Sequence, residues 1–273
     1  MDSTTRQDAL TGIKYGLLMG TAVLALVLPP SRQVTGIAAT AAGVPSAVSL
    51  QQLQTTVTRD MVPQQRPSRY ADLGSEQASD DVHRIANWVA DSGDNHNLNF
   101  VILDKRNAKV FLFDPDGHLS AASPVLLGSM PGDLTVEGVG KKAIHDVHPD
   151  ERTTPAGRFV AQPGRNALPE DVVWVDYDAA VSMHRVRVTD PRERRLERLA
   201  SPSVEDNRIS YGCINMPVKF FEDHIWPAFK GRRGIVYVLP EQLPLDQVFA
   251  QAYDPAERAQ MAGRESGTQV ASP

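Results

Sequence analysis

The stretch "NFVILDKRNAKVFLFDPDGHLSAASPVLLGSM", Asn99 to Met130, decides the fold class. It holds a β-type apolar run, a polar turn at Lys105 to Asn107, a second run, a turn at Asp114 to Gly117, and a third run. Short apolar runs separated by turn residues are the pattern of consecutive hairpins, so the region predicts a β-meander. Further strand-like runs lie outward from it, in "DVVWVDY", "AVSMHRVRV" and "GIVYVLP", beyond a loop rich in Gly and Pro between Gly128 and Pro149. Helical signals are few. "SDDVHRIANWVADSGDN" starts with acids and has Val82, Ile85, Trp88 and Val89 at helical spacing. "RERRLERL" is a short charged helix, and "MPVKFFEDHIWPAF" has Pro217 near its first turn and Gly231 just past its end. Many short strands with few helices predict a mainly β fold, a sandwich or barrel-like sheet with a few peripheral helices. Trp88, Trp174 and Trp226 each sit within an apolar run and read as core.

The ends of the chain differ from this middle. Lys14 precedes "YGLLMGTAVLALVLPP", an uncharged apolar run too short for an ordinary bilayer span and matching the apolar region of a secretory signal. Residues 1–45 are therefore expected to be a signal peptide, or an N-terminal membrane anchor if uncleaved, and the protein is expected in the periplasm or cell envelope. Residues 46–79, rich in Gln, Ser, Thr and Pro, read as a flexible linker. The catalytic-size domain is expected at 80–252, with its core at 99–240, and a polar, fraying tail at 253–273. A net charge of −5 gives no basic face for nucleic acid. No cofactor or metal is expected; "HDVH", with His145 and His148, lacks the partners of a metal site.

One cysteine in an exported chain cannot staple that chain to itself, so it is either a buried inert thiol or a reactive one. Cys213 lies in "NRISYGCINMP", Asn207 to Pro217, between β-type sequence and a helix that begins near Pro217. A sulfur near a helix amino terminus is favoured as thiolate. Gly212 leaves room for a substrate beside the main chain, and the N–H groups of Gly212 and Cys213 could stabilise an oxyanion. Of seven histidines, His184 ends a β run from which a rigid strand could aim an imidazole at the thiol.

"SYGCIN", Ser210 to Asn215, resembles the Ser-His-Gly-Cys signature of the L,D-transpeptidases, the YkuD-like domain that remodels bacterial peptidoglycan. "TTPAGRF", Thr153 to Phe159, is similar to that family's Thr-Pro-x-Gly-x-Phe strand, and His184 stands where its upstream catalytic histidine does. The chain departs from the pattern in three places. Tyr211 replaces a second histidine, Arg185 follows His184 where glycine is common, and "TDPRERRLERLASPSVEDN" lengthens the stretch between His184 and Cys213. Six of the seven residues Arg192 to Arg198 are charged, which reads as a solvated helix face or as a lid over anionic wall polymer.

The resemblance implies an L,D-transpeptidase-like β-sandwich. It also implies a cysteine-dependent acyltransferase in which Cys213, paired with His184, forms a thioester with a peptidoglycan tetrapeptide stem and passes it to an acceptor amine. Ser210, Tyr211 and Gly212 would shape the site, and Asn215 would contact substrate. Arg185, Arg187 and Arg208 are candidates for binding stem carboxylates in bidentate fashion, against a bland reading as solvent-exposed strand residues. Carbapenems are expected to label the thiol. Two other readings stay open at this point: an L,D-carboxypeptidase on the same scaffold, and a catalytically silent wall-binding module.

Overall fold

The computed structural model of the protein describes residues 66–268. The expected leader and the first part of the expected linker lie outside the described residues.

The meander forms as the hairpin pattern predicts. Strands β1 (Phe100–Asp104), β2 (Lys109–Phe113) and β3 (Leu119–Pro124) pair antiparallel in sequence order. The other edge of β1 pairs in parallel with β10 (Gly234–Val238), with Phe100 opposite Ile235. β5 (Gly157–Arg165) links two halves of the sheet: its first residues pair with β10 and its last with β6 (Asp171–Asp176). β7 (Val181–Arg185) follows β6, and β9 (Ile214–Met216) lies parallel to β7. The eight strands therefore run β3-β2-β1-β10-β5-β6-β7-β9. A short parallel pair, β4 (Leu127–Gly128) with β8 (Arg208–Ser210), follows, and Leu126 bridges to Asn215 on β9. Chain leaving one edge strand thus reaches the other edge, and the single sheet is nearly closed.

β1 is buried along its whole length because it is covered on both faces. Val101 and Leu103 face an interior shared with Met183, Ile214, Phe221 and Val236. Phe100 and Ile102 face Val82, Ile85, Trp88 and Tyr237. A strand covered on both sides reads as a continuous apolar run rather than an alternating one. The cover on the second face is α1 (Asp80–Ser92), capped by the Ser79 hydroxyl and closed by Gly93 in the left-handed region. The helical signal after Pro217 forms across residues 218–229, as α3 (Val218–Phe220), a π turn (Phe221–Ile225) and α4 (Trp226–Phe229). The charged insert forms α2 (Arg195–Ala200).

Both flanks depart from the expected linker and tail. From residue 66 onward the "linker" is docked on the domain: Asp72 bridges to His118, and the Ala71 N–H donates to Asn87. The "tail" begins as helix α6 (Pro255–Thr268), after the short α5 (Leu245–Val248). The two flanks meet at the buried Asp91, whose carboxylate accepts from the Arg69 N–H at 2.9 Å, the Tyr253 hydroxyl at 2.8 Å and Arg258 Nε at 2.9 Å. Burial pushes this carboxyl up, but those donors outweigh it and hold it below the usual carboxylate range. Polar composition suggested free chain. One buried carboxylate gives these polar residues a place to bind.

Candidate active site

β7 and β9 bring the two chemistry-bearing residues together. In their parallel register His184 stands opposite Asn215 and Met183 opposite Ile214, so the residue before Ile214 falls level with Ser182, two positions from His184 on the same face of the sheet. That residue is Cys213, in the turn between β8 and β9. It lines a depression of about 310 Å³ with His184, Tyr211, Ser210, Asn215 and Arg195.

His184 is held by main chain. Its Nδ1 lies 2.7 Å from the Arg185 carbonyl, which can only accept, so Nδ1 carries the proton of the neutral ring and Nε2 is left for the thiol. For Cys213, burial pushes the thiol up, but hydrogen bonding and charge from His184, with help from Ser182, pull it below the ordinary thiol range. For His184, burial pushes the imidazole down, and its interaction with Cys213 and the Arg185 carbonyl raises it overall. Both shifts favour a thiolate beside an imidazolium. The sulfur also lies 3.7 Å from Ser182 Oγ and 3.4 Å from the Ala180 carbonyl.

The turn holding Cys213 is pinned from several sides. Gly212 has φ +122°, and a Cβ there would stand 2.6 Å from the Thr153 carbonyl oxygen, so the position needs glycine. Thr154 Oγ1 donates to the Gly212 carbonyl at 2.8 Å and accepts from the Gly128 N–H at 3.0 Å. The "TTPAGRF" stretch therefore acts as a brace under the cysteine turn. Ser210 Oγ donates to the Cys213 carbonyl at 2.6 Å and accepts from the Gly212 N–H at 3.1 Å. This corrects the expected oxyanion pair: the Gly212 N–H is taken by Ser210. The Cys213 N–H donates to no acceptor among the described residues.

Asn215, expected to contact substrate, lines the depression and is also tied to the cysteine turn. It is buried, and its Nδ2 donates to the Cys213 carbonyl at 3.1 Å while its Oδ1 accepts from Arg195 at 2.8 Å. It orients the turn rather than meeting solvent. Tyr211 is 39% exposed, and the Arg152 guanidinium lies over its ring at 4.2 Å.

Two of the three arginines expected to bind substrate carboxylates are already engaged. Arg185 donates to Glu222 at 3.0 Å and to the Asp171 carbonyl at 3.1 Å, and lies over the Phe221 ring at 4.5 Å. Arg208 donates to the Lys105 carbonyl at 3.0 Å and pairs with Glu241 in a buried cluster. There Lys105, with no solvent exposure, donates to Asp133 at 2.7 Å and to the carbonyls of Gly132 at 2.6 Å and Thr154 at 2.8 Å. Arg187 is the third, with only a 3.8 Å contact to Glu170, and it lines the depression.

Arg195 is the site residue that sequence reasoning missed. Within the charged run Arg192 and Arg194 are 90% and 69% exposed, but Arg195 is turned inward at 12%. No periodicity separates it from its neighbours; the only signal is its place at the first turn of the insert helix.

No protein-family profile matches the sequence, and no curated protein matches it. Among solved structures, the chain is similar to a mutant L,D-transpeptidase from Enterococcus faecium at 17% identity and TM-score 0.30, over 52% of this chain and 49% of that one. It is similar to a mutant of the helical cell shape determining protein Pgp2 from Campylobacter jejuni at 13% identity and TM-score 0.39, over 71% and 65%. It is also similar to the L,D-transpeptidase LdtMt1 in complex with imipenem at 14% identity and TM-score 0.30, over 52% and 58%. The chain thus spans from about half to just under two thirds of the length of these structures.

Proposed function

We propose that the protein is an L,D-transpeptidase that acts on peptidoglycan stem peptides in the periplasm or cell envelope, to which the leader within residues 1–45 directs it. The observation that carries this reading is the Cys213–His184 pair, with the imidazole proton held on Nδ1 by the Arg185 carbonyl. In the first step the Cys213 thiolate attacks the carbonyl carbon that joins an L-configured centre to the terminal D-residue of a tetrapeptide stem. The Cys213 N–H is the donor available to the oxyanion. Collapse breaks the C–N bond, the leaving nitrogen takes its proton from the His184 imidazolium, and a thioester remains. An acceptor amine then attacks the thioester, neutral His184 takes a proton from it, and the thiolate leaves. Tyr211 is a wall of the site and takes no part in proton transfer.

Intact-mass measurement after incubation with a purified tetrapeptide stem tests the reading. The wild type should gain the mass of the stem less its terminal residue, and Cys213→Ala should gain nothing. An adduct on the alanine variant would overturn the proposal. Product analysis with and without an acceptor amine separates a transferase from an L,D-carboxypeptidase, and a carbapenem adduct confined to the wild type would exclude a silent module.

A further inference from the structure

The insert between β7 and β8 carries Arg195 to the wall of the Cys213 depression. Its guanidinium is clamped there. Nε donates to Glu193 at 2.6 Å, and one terminal nitrogen donates to Asn215 Oδ1 at 2.8 Å. Because the Asn215 amide is itself fixed through its donor to the Cys213 carbonyl, the guanidinium is tied to the backbone of the reactive residue. The other terminal nitrogen makes only a 3.4 Å contact with Glu193 and is the least engaged edge of the group. Arg187, weakly paired, lines the same depression, so two guanidinium groups there face one carboxylate, Glu193.

We infer that Arg195 is a specificity-determining residue that selects ligands presenting a carboxylate beside the atom that Cys213 attacks. A rigid, partly buried guanidinium with one weakly engaged edge is suited to an incoming carboxylate, and partial removal from water strengthens that attraction. The naming of that carboxylate as one carried by a stem peptide rests on the function proposed above; the selection of anions does not.

A pair of small thiol reagents tests the selection without any peptide. Iodoacetate and iodoacetamide alkylate the same sulfur with loss of the same iodide, and differ by a carboxylate against an amide. In the full protein Arg195→Gln should lower the iodoacetate rate, taken relative to the iodoacetamide rate of the same variant, by about fivefold, the order expected on removing one partly screened charge. Arg195→Lys should recover most of the iodoacetate rate. Equal losses with both reagents would mean that Arg195 only supports the turn, and unchanged rates with both would mean that its charge is not read; either result overturns the inference. A protein that shows this selectivity but forms no adduct with a stem peptide would retain the anion site and lose the transpeptidase reading.

Discussion

Replacing Asp133 by asparagine removes the negative charge at the centre of the buried cluster that braces the cysteine turn. The carboxylate accepts from Lys105 Nζ at 2.7 Å and from three successive N–H groups, of Glu241, Gln242 and Leu243, at 2.8, 2.8 and 2.7 Å. Burial pushes the Asp133 carboxyl up, but these donors outweigh it and lower it from 3.8 to about 2. At 1.36 kcal/mol per unit, that difference corresponds to roughly 2.5 kcal/mol of folding stability. The sign follows from the depressed value: the contribution is fully present above about pH 4 and is lost as the pH falls toward and through about 2. Asparagine also leaves the buried Lys105 ammonium with Glu241, at 3.4 Å, as its remaining carboxylate. Removing one member of a buried ion pair typically costs 3–5 kcal/mol. Asp133→Asn is therefore expected to lose about 3–5 kcal/mol at pH 7, with the gap to wild type narrowing by roughly 2 kcal/mol near pH 2. Urea unfolding followed by tryptophan fluorescence at both pH values measures this. A gap below about 1 kcal/mol at pH 7, or one of equal size at both pH values, would refute the reasoning.

His184→Ala leaves burial of the thiol opposed only by the smaller contribution of Ser182, so the pH midpoint of iodoacetamide labelling should move upward from its wild-type value below the ordinary thiol range. Acylation should fall by about 10²–10⁴-fold, and an unmoved midpoint would sink the pairing. Gly212→Ala forces a side chain against the Thr153 carbonyl at a φ of +122°, and acylation measured by intact mass should fall at least about tenfold; a wild-type rate would refute the need for glycine. Tyr211→Phe keeps the ring under Arg152 and should acylate near the wild-type rate, whereas Tyr211→Ala loses a contact worth about 0.5–1 kcal/mol and should be slower by stopped-flow with a carbapenem. A Phe variant as inactive as Cys213→Ala would show that the phenol takes part in the chemistry.

Local features of the fold were legible because each is written in adjacent residues. The two hairpins, the helix with Val82, Ile85, Trp88 and Val89 on one face, and the helix after Pro217 all formed where their residues predict. The order of the sheet was not legible, since β1 pairs with a strand from the far end of the domain and nothing in "FVILD" names that partner. Residue type and position singled out Cys213 and His184, and the pairing of β7 with β9 brings the two together. The group that orients His184 was not legible, because a main-chain carbonyl has no sequence signature. Arg185 and Arg208 were read as available because they flank the motifs, but their partners Glu222 and Glu241 are remote in sequence. Arg195 was hidden by the reverse effect, a partly buried cation among exposed ones.

The parallel pairing of β1 with β10 also bears on how the chain reaches its native state. A chain that emerges amino terminus first can form the β1–β2–β3 meander early, but one edge of β1 stays open until residues 234–238 appear. Closing that pair joins segments far apart in sequence, and such contacts are slow to form and costly in chain entropy. Truncation before β10 would thus leave an apolar strand edge available for wrong partners.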